Sequence, residues 1–304
     1  MSLAGSGRAD HPVAQRGVEF LLRSVRPDGS WPIDTNLATW ATTLAINALA
    51  SGGDDVSSLA STEWLLGCQH RDRHPMTGTS AGGWGWTDLS GAVPDADDTP
   101  GALLALAALR RSAPGGLDRR IDEAADAGLH WLLRLQNRDG GWPTFCRGWG
   151  TMPFDRSGVD LTAHALRALH VWSGRLKGRA RSAIRRGLGY LQRQQRSDGS
   201  WVPLWFGNQH WKEEENPIYG TARVLLAYRD LGRIDSDPAR RGLAWLAAQS
   251  DAEGGWGASP QASGGQSGGP SVEETAVAVE AMLAGGKDPR WRTALTRGIS
   301  WLLG

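Results

Sequence analysis

Hydrophobic and polar residues follow two distinct patterns along this chain. In segments such as 120–136 and 180–195, apolar residues recur at helical spacing with arginine-rich polar faces opposite them. That is the pattern of a helix that buries one stripe. Other segments are apolar nearly all round: 37–50, 99–111, 160–173, 218–232 and 272–285. A helix apolar on every face must be buried on every face. The alternation therefore predicts inner helices interleaved with amphipathic outer ones. No stretch shows the period-two alternation that would support a sheet.

A repeat underlies the alternation. VEFLLRSVRPDGSW ends at Trp31, LHWLLRLQNRDGGW at Trp142, GYLQRQQRSDGSW at Trp201 and AWLAAQSDAEGGW at Trp256, with a looser copy ending at Trp84. These tryptophans lie 53 to 59 residues apart, giving five complete copies, and a sixth begins at GISWLLG before Gly304. Self-similarity at such a period means stacked structural units. Each copy runs from an amphipathic helix through a glycine turn, where the helix stops, into an inner helix. Helix pairs repeated about six times, one ring inside the other, close into an all-α (α/α)6 barrel. The expected organisation is an N-terminal tail at 1–11 and one barrel domain over 12–304, with the sixth repeat truncated and its inner helix missing.

Within the turns, Gln136, Asp139 and Trp142 recur as Gln195, Asp198 and Trp201. The glutamine amide is expected to cap helix ends beneath an indole that donates its N–H. This role is structural. A carbohydrate-binding aromatic ladder is disfavoured, because the spacing puts each tryptophan on a different helix pair.

Composition narrows the function classes. The 304 residues carry 33 Lys+Arg against 32 Asp+Glu, a net charge of +1, without the basic excess of a nucleic-acid binder. Sixteen tryptophans against four phenylalanines and three tyrosines are the outlier. The two cysteines, Cys68 and Cys146, cannot build a disulfide framework or a thiolate-rich zinc site. The N-terminal stretch has no apolar signal region and the apolar runs are too short to span a bilayer. The expectation is a cytoplasmic protein, with peripheral membrane contact left open; the arginine-rich stretch 175–187 reads first as a solvated barrel exterior, with contact to anionic lipid as the alternative.

Candidate chemistry lies between the repeats. Asp95, Asp97 and Asp98 crowd into VPDADDTP, ahead of Thr99, a candidate N-cap, and Pro100, suited to a first helical position. Acids favour helix N-termini in any case. The helix that follows is an inner one, however, so its N-terminus opens into a barrel mouth. Carboxylates crowded in a poorly hydrated cavity cannot all ionise, and one that keeps its proton is a general acid. His164 stands on the inner segment 160–173, one turn after Asp160, and Tyr219 begins another inner segment. A satisfied core histidine and a capped core tyrosine are the plain alternatives. Trp40, Trp86, Phe145 and Trp205 fall near the same end, where aromatic faces could line an apolar cavity and stabilise a cation.

These residues together resemble class II terpene cyclases of the squalene–hopene cyclase type, over about residues 12 to 304. The resemblance rests on the Q-x-x-D-G-x-W repeats and on D-x-D-D-T at Asp95, Asp97, Asp98 and Thr99. D-x-T-A-H from Asp160 to His164 and Y-G-T from Tyr219 to Thr221 add to it. The repeats alone would also admit protein prenyltransferase β-subunits. The resemblance implies a cofactor-free, metal-free barrel that protonates a terminal alkene or epoxide of a linear isoprenoid, squalene or a shorter prenyl chain. Asp97 would be the proton donor, assisted by Asp95 and Asp98. His164, as an imidazolium, would hydrogen-bond the acid and raise its acidity, and Tyr219 would hold ordered water. Trp40, Trp86, Phe145 and Trp205 would line the cavity and stabilise cations.

Relative to that family, one barrel stands where full-length members carry two, and the loop 207–217 is longer and more acidic. The expected partners are therefore the isoprenoid and a remaining cyclase domain or a second copy. An inactive cyclase-like scaffold is the alternative function. A glycoside hydrolase would place its acids on separate helices across a polar cleft, and a prenyltransferase would need a zinc site for which neither cysteine is placed.

Overall fold

The computed structural model describes residues 36–56, 59–110, 117–149, 152–176, 178–258, 269–285 and 288–304, with seven isolated positions between Pro12 and Pro27. The chain divides into two compact units, Met1–Leu37 and Ala38–Gly304. The first repeat, ending at Trp31, lies outside the described residues. In the second unit the inner helices are α1 (Ala38–Gly52), α3 (Asp98–Arg110), α5 (Val159–Val171), α7 (Pro217–Asp230) and α9 (Val272–Ala284). The outer ones are α2 (Ser61–Gly67), α4 (Leu117–Leu135), α6 (Gly178–Gln194), α8 (Asp237–Ala248) and α10 (Pro289–Leu303). Each inner helix packs on the next in chain order, α1 to α9. This is the α/α-barrel arrangement. Strand among the described residues is limited to the two-residue pair Trp142–Pro143 and Ser157–Gly158, which is antiparallel, and two isolated bridges. No helix among them is long and apolar enough to cross a membrane.

The inner helices depart from the expected pattern in two respects: the first and last of them are not buried on every face, and two arginines face inward. Only Thr39, Thr43 and Ile46 are buried on α1, and Leu44, Leu49, Val272 and Leu283 are exposed. Most of α3, α5 and α7 is buried as the apolar runs require, yet α5 and α7 carry Arg167 and Arg223 into the barrel, on the wall of a partly open cavity. Arg167 is neutralised by Asp230 at 2.6 Å. A single arginine in an apolar run gives no sign of facing inward, because its aliphatic stem is compatible with either side.

The tryptophan turns form one recurring joint. Trp84, Trp142, Trp201 and Trp256 are fully buried. Their indoles donate to the carbonyls of Leu65, Leu132, Leu191 and Leu246 on the outer helix of their own repeat, at 2.7–2.9 Å. Their backbone N–H groups donate to the hydroxyls of Thr99, Thr162, Thr221 and Thr275 on the following inner helix, at 2.9–3.0 Å. Full burial removes these indoles from any sugar-binding role. The glutamines reach sideways and do not cap helix ends. Gln136 donates to Gly140 and to Ala183 on the next outer helix, and Gln69 and Gln195 do the same toward Ala124 and Pro238. Each tryptophan thus ties its outer helix to its inner one, while each glutamine ties one repeat to the next. A close approach requires Gly242: a Cβ there would lie 2.7 Å from the Trp201 ring.

Candidate functional site

The acidic loop is built into one of these joints. Asp95 N–H donates to Trp84 at 3.0 Å and Ala96 N–H to Thr144 at 3.1 Å. The loop is therefore held between the Trp84 turn and the segment after Trp142. Asp95 then caps α3: its Oδ1 accepts from the N–H of Asp97 at 2.9 Å and of Asp98 at 2.7 Å. The sequence expectation of Thr99 as the cap is corrected here. The helix starts at Asp98, Pro100 is its third residue, and the Thr99 hydroxyl is committed to Trp84.

All three carboxyls are pushed up in pKa, in each case mainly by burial. Asp98 is raised further by the charges of Asp95 and Asp97. Asp95 is opposed by the backbone N–H groups it caps. Asp97 is opposed by the nearby Arg223 cation and by the Trp40 indole. Asp97 therefore differs from its neighbours, because burial raises its pKa while a cation and an indole N–H that favour its anion stand nearby.

Its surroundings are specific. Trp40 Nε1–H donates to Asp97 Oδ2 at 3.2 Å, and His164 Nδ1 lies 3.7 Å from Oδ1. Arg223 donates to that same His164 nitrogen. A guanidinium has no lone pair to offer, so Nδ1 must be the acceptor and the imidazole proton must be on Nε2. Burial first, then Arg223 and Arg167, hold the His164 pKa well below its ordinary value. These influences disfavour the imidazolium that the family resemblance implies, and a permanent cation, Arg223, acts on Asp97 from nearby. Asp160, at the start of α5, is pushed up to about 7 by burial and by the charge of Asp97. Asp98 Oδ1, Asp160 Oδ1 and His164 Nε2 are buried without a hydrogen-bond partner among the described residues.

Tyr219 begins α7, where Asn216 caps its N–H at 3.3 Å. Its ring stands 5.7 Å from the Arg223 guanidinium and 5.4 Å from Phe206, and burial raises its phenol. Counting back two residues from each joint threonine gives Asp97, Asp160, Tyr219 and Glu273. Asp97, Asp160 and Glu273 all act electrostatically on Tyr219. That shared register is a signal the sequence carried and motif reading missed.

The predicted aromatics fall into two groups. Trp40 stands on Asp97. Trp86, Phe145 and Trp205 belong to one continuous wall completed by Trp149 and Phe154, with ring centroids 4.6–6.2 Å apart. Trp40, Trp205 and Phe206 keep more than a third of their surface accessible, so an apolar ligand can reach them. Sequence reasoning missed Trp149, Phe154, Phe206 and Arg223. The three aromatics lie in non-periodic loops, where aromatic density was the only cue. A partly open cavity of about 700 Å³ is lined mainly from the C-terminal halves of the inner helices, with His164 and Arg223 on its wall.

Residues 37–304 match the family described as Squalene-hopene cyclase C-terminal domain. The chain is 34% identical to drimenyl diphosphate synthase of Streptomyces showdoensis over 77% of its own length and 38% of the relative's. It is 27% identical to squalene–hopene cyclase of Bradyrhizobium diazoefficiens, over 96% of this chain and 46% of that one. It thus spans less than half the length of these relatives. Among solved structures, the type II terpene cyclase MstE from Scytonema, in complex with geranylgeranyl dihydroxybenzoate as substrate, superposes with a TM-score of 0.59 at 22% identity, covering 95% of this chain and 76% of MstE. With the family matching nearly the whole of the second unit and an α/α barrel carrying D-x-D-D-T at a mouth, the chain belongs to the squalene–hopene cyclase C-terminal domain family of class II terpene cyclases.

Proposed function

We propose that the protein is a protonation-initiated terpene cyclase in which Asp97 is the acid. The observation that carries this reading is the Asp97 environment: burial raises the carboxyl's pKa, while the Trp40 Nε1–H hydrogen bond and the nearby Arg223 cation favour its conjugate base. An alkene is a very weak base. Its protonation needs an acid whose anion is stabilised in place, in a site with little competing water. In the first step the π electrons of the terminal alkene of a linear isoprenoid take the Asp97 proton. A C–H bond forms, the O–H bond breaks, and the positive charge falls on the more substituted carbon. The next alkene attacks that carbon, forming a ring bond and moving the cation along the chain. Loss of a proton or addition of water ends the sequence.

The indole and phenyl faces of Trp40, Trp86, Phe145, Trp149, Phe154 and Trp205 support the later steps, because ring faces attract cations. Tyr219, beside Phe206 and Arg223, is the site for ordered water. The substrate class is squalene or a shorter prenyl chain, and relatives of both kinds are known by name. The proposed setting is cytoplasmic, with substrate drawn from a membrane surface. The test is product analysis by gas chromatography and mass spectrometry after incubation in D₂O with squalene, its epoxide and prenyl diphosphates. A cyclic product carrying one deuterium at the former alkene terminus, absent with Asp97→Asn, is the expected result. Cyclic product without deuterium would remove Asp97 from the role.

A further inference from the structure

Arg223 is the only arginine lining the barrel interior, among the described residues, without a carboxylate within ion-pair distance. Arg167 and Arg229, which share the cavity wall with it, both pair with Asp230. The groups that do face Arg223 come from every neighbouring element: Asp97 at the start of α3, Asp160, His164 and Arg167 on α5, Tyr219 on its own helix, and Glu280 on α9. Asp97 and Asp160 are carboxyls whose pKa values burial raises. The cation thus faces carboxyls whose anionic form burial disfavours, with none of them within ion-pair distance. Its one described hydrogen bond goes to His164, whose Nδ1 lies 3.7 Å from Asp97 Oδ1.

We infer that Arg223 is a positioning residue for proton transfer, holding His164 as the neutral Nε2–H tautomer and supplying the unpaired charge that receives Asp97 when it becomes a carboxylate. The inference rests on the acid role proposed for Asp97. Opposite charge favours the carboxylate, so Arg223 makes the acid stronger. A permanently charged guanidinium also does this at every working pH, which an imidazole in its place would not. The same charge excludes a proton from His164, so the histidine cannot compete with the alkene for the Asp97 proton.

The wild-type chain allows the first test. ¹⁵N NMR of histidine-labelled protein, with His164 assigned by its loss in His164→Asn, should show a neutral ring protonated at Nε2 at pH 6. An imidazolium there overturns the inference without any variant having to fold. In Arg223→Gln the ring should take up a proton in the ordinary histidine range. Turnover should fall about 10²-fold with KM little changed. The alkaline limb of the pH–rate profile should move up by about one unit, as the acid weakens. Arg223→Lys keeps the charge and should restore the position of that limb. A folded Arg223→Gln that matches wild type in turnover and pH limb overturns the proposal alone. A wild type that cyclises no isoprenoid overturns the Asp97 assignment and the proposal with it.

Discussion

The tryptophan joints and the acid site occupy the same turns of the same helices, yet treat polar groups in opposite ways. At Trp142 the indole, the backbone N–H and the neighbouring glutamine amide all have partners within 3.0 Å. A few residues away, Asp160 Oδ1 and His164 Nε2 are buried without a described partner. Unpaired buried polar groups destabilise a fold by a few kcal/mol each. The joints therefore hold the site in a state it would not adopt alone, and the acid strength of the site depends on their rigidity.

Four substitutions break or sharpen this contrast. Asp97→Asn should have the largest effect, lowering cyclisation about 10⁴-fold while the melting temperature stays equal or rises, because a buried ionisable group is replaced by a neutral one. A matching loss of stability would mean that the site shares the role of the joints. Trp142→Ala should do the reverse, costing about 3–5 kcal/mol in urea unfolding. Asp160→Asn probes the same contrast through pH. The folded carboxyl titrates at about 7 and an unfolded one near 3.9, so the wild type loses stability as pH rises through that window. The variant should be less stable relative to wild type at pH 4 than at pH 8, with a swing of a few kcal/mol; a flat difference would refute the raised pKa. Thr162→Val should have the smallest effect, about 1–3 kcal/mol, by leaving the Trp142 N–H buried and unpaired. Its pH–rate profile should keep the wild-type form.

Features that depend on period or on short spacing were legible in the sequence. The inner and outer helices, the repeat turns, Asp95, Asp97, Asp98 and the Trp40 segment all belong to that class. Arg223 was not legible, because its meaning comes from His164 and Asp97, 59 and 126 residues before it. The influence of Arg223 on His164 was not legible for the same reason, since it comes from a three-dimensional neighbour. Thr99 looked like a cap because threonine suits that position; its commitment to Trp84 spans fifteen residues. Trp149, Phe154 and Phe206 lie in loops whose pattern has no period to read.

The threonine joints also bear on how such a protein could have arisen. If the barrel grew by duplication of one helix pair, every copy inherited a residue two places before its threonine. In this chain those residues are an aspartate at 97, another at 160, a tyrosine at 219 and a glutamate at 273. New chemistry would then require no new loop and no new fold, only a changed codon at an inherited position. Glu273, exposed and acting electrostatically on Tyr219, is one such inherited position open to laboratory evolution.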